Sequence, residues 1–420
     1  MKTSEIYTIY KQHPEICTDT RAIKKNSIFF ALKGPRFNGN KFAHQAIEAG
    51  CKYAIIDEKK YQSEKCILVK NVLLALQDLA RFHRKKLNIP IVGITGSNGK
   101  TTNKELIYNV LSSQYTCYAT KGNLNNQIGV PLSILEINKD IEIAVIEMGA
   151  DRLGEIKTLC EIASPTHGII TNIGKAHLEG FKSYENIIKT KSELYNFIEQ
   201  KEGIIFVNNE DTLLMKLSKQ ITKKTYGKNK ESNTHTTIRN AYPFVNIQYG
   251  DKIIKSHLIG EFQLYNIAAS ICIGKHFDIS DLKIKKAIEN YIPKNNRSEV
   301  IKTKRNNLIL DAYNANPSST ELMITSFSKM KTEKKVCILG DMLELGKDTK
   351  AEHQKIISLC NKYKIESIFI GKEFNSIIKR NSFQDIHEFI NSNLIRTLKN
   401  STILLKGSRS IQLENLVEYL

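Results

Sequence analysis

Seven consecutive residues, Gly96-Ser97-Asn98-Gly99-Lys100-Thr101-Thr102, carry the plainest chemistry in the chain. Before them Ile91-Val92-Gly93-Ile94-Thr95 reads as a buried strand, and residues 100–111 read as a helix. A glycine turn from strand to helix suits a phosphate: backbone N–H groups curl round anionic oxygens and the helix amino end adds a favourable dipole. Lys100 would then reach β- and γ-phosphates, and Thr101 would offer its hydroxyl to Mg²⁺. The match to G-x-x-x-x-G-K-[ST] is incomplete, because position 94 is Ile. A tight turn that holds no nucleotide is the plain alternative. The spacing of Gly93, Gly96 and Gly99 is not the G-x-G-x-x-G of a dinucleotide fold.

Three ionisable residues follow. Glu147 ends the apolar run Ile143-Ala144-Val145-Ile146-Glu147; beside a phosphate loop such an acid is placed to hold a metal ion, or is an ordinary strand-end acid. His177 lies on a loop after the next strand, at the same edge of the sheet, as a ligand or as a structural imidazole. Lys191 falls among Ile187, Leu194, Tyr195 and Ile198, inside the apolar stripe of a helix, whereas Lys189 faces away. A buried lysine keeps a neutral, nucleophilic amine when its pKa falls, and such an amine can take up CO₂ as a metal-positioning carbamate. Snorkelling of its ammonium to the surface is the alternative.

Further along, Asp311-Ala312-Tyr313-Asn314-Ala315-Asn316-Pro317, then Asp341 and Glu344, then Lys406-Gly407-Ser408-Arg409 each follow an apolar strand. Three polar loops at one sheet edge read as a binding rim.

These residues need elements to hold them. To about Leu87 the chain mixes short strands (27–32, 51–57) with helices (44–49 and one after Val72), and 33–40 is a turn-rich loop. From residue 89 the pattern becomes strand, glycine turn, helix, repeated, which predicts a doubly wound, mostly parallel sheet. Residues 207–251 are polar and irregular, and the sequence does not place them. From Arg297 a second α/β layer begins, with strands at 308–311, 336–340, 367–371 and 402–406 and helices at 319–330 and 350–363. The predicted units are 1–88, 89–296 and 297–420, with two sheets facing each other across a cleft.

Composition supports a globular reading. Of 420 residues 41% are hydrophobic and 25% charged, which excludes disorder and coiled coil. About three domains suit that length. No apolar run reaches the roughly 18 residues of a membrane span, and Met1-Lys2-Thr3-Ser4-Glu5-Ile6-Tyr7 has no apolar signal core, so a soluble cytoplasmic protein is expected. Sixty-two basic against 43 acidic residues give +19. That balance suits a nucleic-acid binder, but the cations are scattered and no run interleaves aromatics with Arg, so no nucleic-acid partner is expected. The same field favours an anionic small substrate. Eight widely separated cysteines, none at metal-ligand spacing, read as free thiols in a reducing compartment.

Taken together, Thr18-Asp19-Thr20-Arg21, Phe29-Phe30-Ala31-Leu32-Lys33-Gly34, the phosphate loop and Gly122-Asn123-Leu124-Asn125-Asn126 make the sequence resemble the Mur ligase family. The likeness continues through Glu147-Met148-Gly149-Ala150, Thr171-Asn172-Ile173-Gly174 and Leu264-Tyr265-Asn266-Ile267-Ala268-Ala269. It spans essentially the whole chain. Tyr313-Asn314-Ala315-Asn316-Pro317 and Asp341-Met342-Leu343-Glu344-Leu345-Gly346 point to the branch that adds D-alanyl-D-alanine to UDP-N-acetylmuramoyl-tripeptide.

The resemblance implies a UDP-sugar-binding amino-terminal domain, a central ATPase and a carboxyl-terminal Rossmann-like domain, working as a monomer without membrane insertion. It implies ATP, two Mg²⁺ and a carbamate on Lys191. Gly96 through Thr102, with Lys100 and Thr101 foremost, would meet the phosphates; Thr101, Glu147, His177 and Lys191 would serve the metals. Asn266 would meet the adenine, and Arg297 and Asp311 the ribose or phosphates. Thr20, Arg21 and Lys33 would contact UDP, and Asn314 and Asn316 would also bind substrate. Two residues depart from the family: Asp151, where Asn is usual after Met-Gly-Ala, and Lys175, where Pro is usual before Ala-His. Rivals remain in another Mur-type or folylpolyglutamate-type ligase, a P-loop ATPase acting on nucleic acid, and a non-enzymatic nucleotide-binding protein.

Overall fold

Three parallel or mostly parallel sheets succeed one another along the chain in the computed structural model, which describes residues 1–420. The first sheet places Ile16–Cys17, Ile28–Phe30, Tyr53–Ile56 and Cys66–Leu68 side by side, all parallel. The turn-rich segment that follows Leu32 folds into a small antiparallel hairpin, Lys33–Gly34 against Phe37–Asn38.

The central sheet has seven parallel strands in the order Thr234–His235, Lys223–Gly227, Ile204–Asn208, His167–Ile170, Ile91–Thr95, Ile143–Glu147 and Cys117–Ala119. Every residue of Ile91–Thr95 and Ile143–Glu147 is buried, as near-continuous apolar runs covered on both faces require. From Ile91–Thr95 the chain first builds one flank and then crosses to His167–Ile170 on the other. That reversal opens a crevice at the carboxyl ends of the strands, where the phosphate loop lies. Helix Gln263–His276 packs on helix Lys100–Ser112 behind it. The stretch the sequence left unplaced supplies the two outermost strands on one side of this sheet and most of an antiparallel three-stranded meander, Thr237–Asn240, Asn246–Tyr249 and Lys252–Lys255. Its strands are short and half exposed, so they carry little apolar signal.

In the third sheet Glu299–Lys302 runs antiparallel to Asn307–Leu310. Thr402–Lys406, Lys335–Gly340, Glu366–Ile370 and Ser382–Phe383 follow in parallel. The expected cleft lies between the central and third sheets: helices cover the sheet faces, as parallel sheets demand, and the two sheets open their carboxyl edges onto it. No helix is long and apolar enough to cross a membrane.

The two neighbours of the central unit are attached differently. One hydrophobic core of 35 buried residues runs without a break from Ile6, Tyr10 and Leu76 into Ile134, Ile146 and Ile162. Polar groups reinforce this seam: the Tyr10 hydroxyl donates to the Leu135 carbonyl at 2.5 Å, and Arg84 Nε donates to that of Ala163 at 2.8 Å. Toward the third unit the apolar contact is confined to Ile259, with Tyr242, Phe244 and Phe262, against a cluster containing Met323 and Phe327. Beyond that patch, polar contacts cross the cleft.

Candidate active site

A cleft of about 1080 Å³ lies between the central and third sheets. On its floor Gly96 and Gly99 have φ of 144° and 77°, left-handed backbone that shapes the loop. A Cβ on Gly96 would stand 2.0 Å from Thr171 Oγ1, so the loop sits hard against the neighbouring strand end. Ser97 ties the two: its hydroxyl donates to the Gly174 carbonyl at 2.8 Å, and the Gly174 N–H donates back at 2.9 Å. The Asn98 N–H donates to Asn172 Oδ1 at 3.1 Å. Lys100 curls over the loop, its Nζ donating to the carbonyls of Gly96 at 2.7 Å and Ser97 at 3.2 Å. Burial pushes its amine below the ordinary lysine value. A cation held only by loop carbonyls is a fitting counter-charge for an anion entering the cradle.

Glu147 is buried at the next strand end. Its carboxylate accepts from the Thr101 hydroxyl at 2.9 Å and from Asn125 Nδ2 at 2.7 Å, while Lys104 Nζ lies 3.8 Å away. A carboxylate beside a loop hydroxyl, both lining the cleft, is a donor set that suits a divalent cation. Thr102 and Asn266 also line the cleft; Asn266 Oδ1 accepts from Asn103 Nδ2 at 2.6 Å, and its own Nδ2 donates to Gln263 Oε1 at 2.6 Å.

His177 lines the same cleft with φ 54° at the head of the short helix Leu178–Phe181, and its Nδ1 is hydrogen-bonded to Glu344 of the third unit. Lys191 does not line the cleft. It sits in helix Tyr184–Gln200, 2% exposed, with Nζ 5.6 Å from the centre of the Phe181 ring. Of its two sequence readings, burial holds and snorkelling does not: desolvation, with Lys100 adding, pushes its pKa down to about 7. A neutral amine is therefore available near pH 7, the form that adds CO₂.

Across the cleft, Asp311 accepts from Lys406 Nζ at 2.7 Å and from the Ser298 N–H at 3.1 Å. The Arg297 guanidinium stacks 3.7 Å from the centre of the Tyr313 ring. Asn314 lines the cleft, and Asn316 Nδ2 donates to Asn98 Oδ1 at 2.7 Å, bridging the two units. Asp341, Gly407, Ser408 and Arg409 of the expected rim do not line the cleft. Asp341 is buried and accepts from the N–H groups of Glu373 at 2.9 Å and Phe374 at 3.0 Å, which caps helix Lys372–Ile377.

Thr20, Arg21 and Lys33 lie on the first unit and do not line this cleft. Arg21 pairs with Asp19 at 2.6 Å, and Lys33 with Asp57 at 2.9 Å and Glu58 at 3.0 Å. Asp151 and Lys175, the two departures, are both exposed; only Asp151 lines the cleft. Sequence reasoning missed Asn103 and Lys104. Lys104 follows Thr101 by three positions on one helical face, a spacing that signals a shared partner, here Glu147.

Three family descriptions match the chain in series: Mur ligase family, catalytic domain, over residues 14–90; Mur ligase middle domain over 94–274; and Mur ligase, glutamate ligase domain, over 296–409. The chain belongs to the Mur ligase family. Among Mur ligases it is 33% identical to the UDP-N-acetylmuramoyl-tripeptide–D-alanyl-D-alanine ligase of Bacillus subtilis, covering 96% of this chain and 92% of that one. The Escherichia coli protein of that name is 29% identical over 96% and 93%. Of solved Mur ligases, MurF from Acinetobacter baumannii superposes with a TM-score of 0.87 at 29% identity, covering 96% and 92%. MurF ligase from Thermotoga maritima in complex with ADP gives 0.84 at 28%, covering 96% of each chain. A folylpolyglutamate synthase from Thermotoga maritima, 15% identical at a TM-score of 0.61, shares the fold alone.

Proposed function

We propose that this Mur ligase joins D-alanyl-D-alanine to UDP-N-acetylmuramoyl-tripeptide, forming the pentapeptide precursor of peptidoglycan with release of ADP and phosphate. The observation that carries it is the near-full-length likeness to ligases of that name, together with a cleft that unites a phosphate cradle with the Asp311–Asn316 rim.

A carboxylate is a poor electrophile. Its oxygen therefore attacks the γ-phosphorus of ATP, the bond to the β-bridging oxygen breaks, and ADP departs from an acyl phosphate. Lys100, freed from its loop carbonyls, sits against the charge that spreads over the transferring group. Divalent magnesium, when bound, supplies Lewis-acid neutralisation of phosphate charge; Thr101, Glu147 and His177 are the residues proposed to hold it, with Lys191, as a carbamate, positioning it. The amine of D-alanyl-D-alanine then attacks the acyl carbon, and phosphate leaves through a tetrahedral intermediate. Acyl phosphates hydrolyse in water, so the third unit must close on the central one during the reaction.

Asn266 is assigned to the adenine, Arg297 and Asp311 to ribose or phosphate, Asn314 and Asn316 to the peptide, and Thr20, Arg21 and Lys33 to UDP. The division of labour follows residues 1–88, 89–296 and 297–420. A monomer acting in the cytoplasm, where ATP and reducing conditions suit its eight free thiols, completes the reading. The test is phosphate release from ATP with the tripeptide substrate, with and without D-alanyl-D-alanine. Release that requires both, and that single amino acids or glutamate do not support, is expected. Turnover indifferent to D-alanyl-D-alanine contradicts the assignment.

A further inference from the structure

Glu344 has no part in the chemistry above, yet the structure spends unusual backbone on it. Its φ is 61°, left-handed for a non-glycine residue, and its partner His177 has φ 54°. The two turns meet at more than one point. His177 Nδ1 is bonded to the Glu344 carboxylate, the Glu179 N–H donates to the Glu344 carbonyl at 3.2 Å, and Gly346 lies against Glu179. Glu344 belongs to the loop after Lys335–Gly340, in the third unit, whereas His177 belongs to the central one. The contact therefore exists only while the two units are together.

An ionised carboxylate can only accept, so Nδ1 must carry the hydrogen. In a neutral imidazole that leaves the lone pair on Nε2. We propose that Glu344 is a positioning residue that holds His177 with Nε2 free for a divalent cation, and that seating of the third unit delivers it. The proposal rests on the reading of His177 as a metal-side group. It makes cation affinity and domain closure mutually dependent, since a coupling between two equilibria acts equally in both directions.

The test is Mn²⁺ binding to the full chain in the presence of ADP, followed by electron paramagnetic resonance, for wild type, E344A, E344Q, H177A and the E344A/H177A double variant. The Glu344 side chain is 58% exposed, so its truncation leaves the core intact. E344A is expected to weaken Mn²⁺ binding about 10- to 100-fold, the usual effect of removing a group that orients a metal-bound histidine. E344Q, which keeps an accepting oxygen, should recover part of the loss. The double variant should bind no worse than H177A alone, because Glu344 acts through His177. Wild-type affinity in E344A beside weakened binding in H177A overturns the proposal and leaves the reading of His177 standing. Wild-type affinity in both overturns the reading as well. Additive losses in the double variant show that Glu344 acts by another route and overturn the proposal.

Discussion

The central unit meets its two neighbours through interfaces of opposite character. Toward the first unit the core is continuous, helix Val72–Arg84 lying against helices Gly129–Leu135 and Glu155–Ala163 with Arg84 bonded into carbonyls on both sides. Toward the third unit an apolar patch on one side gives way to isolated polar pairs, Asn98 with Asn316 and His177 with Glu344. Apolar seams of the first kind hold units rigidly, whereas small polar ones permit hinge motion. The proposed chemistry, which must exclude water, thus falls on the interface of the second kind. Substitutions at the cleft should change turnover and spare stability, and substitutions at the seam should do the reverse.

The largest effect is expected at the cleft floor. Lys100→Ala should lower kcat by about 10³-fold or more, the scale of losing a positioned group that stabilises transition-state charge, while the thermal midpoint moves little. Steady-state kinetics beside calorimetry check both halves. At the seam, Leu76→Ala empties a fully buried site and should cost about 2–5 kcal/mol in chemical denaturation. The surviving folded enzyme should keep its kcat. A seam variant that lost turnover at unchanged stability would break the comparison.

Lys191 sharpens it, because it belongs to the apolar interior and is proposed to serve the cleft. In CO₂-free buffer its amine titrates near 7 in the fold but at its ordinary 10.5 when the chain is unfolded. Between those limits the unfolded state holds more protons, so stability from this residue rises with pH and is lost as pH falls toward 7. Lys191→Met removes a slope of about 1.4 kcal/mol per pH unit. Denaturation at several pH values should find the variant more stable than wild type at pH 7, yet nearly inactive. Equal slopes in the two proteins would show that the amine is not desolvated.

The smallest effect is expected on the first unit. Arg21 is exposed and paired with Asp19, two positions away. Arg21→Ala should raise KM for the UDP substrate by less than about tenfold and leave kcat alone, as loss of uniform binding does.

What the sequence revealed follows from distance along the chain. The phosphate loop, Glu147 and Lys191 were legible because strand, turn and helix signals a few residues away fixed their surroundings; helix Tyr184–Gln200 confirms the stripe that buries Lys191. His177 and Glu344 lie 167 positions apart, and no local pattern joins them. Asp341 was read as part of the rim because it follows a strand, but its carboxylate turned inward to cap a helix more than 30 residues on. The meander from Thr237 to Lys255 stayed illegible because its short strands are half exposed and blur the apolar alternation.

The central claim is that the tripeptide carboxylate, and not water, attacks ATP inside the closing cleft. It is tested most directly by labelling that carboxylate with ¹⁸O and analysing the released phosphate by mass spectrometry after turnover with D-alanyl-D-alanine. One ¹⁸O in each phosphate is predicted, since the acyl phosphate's bridging oxygen comes from the carboxylate and leaves with phosphorus. Phosphate whose added oxygen comes only from the solvent would contradict the account.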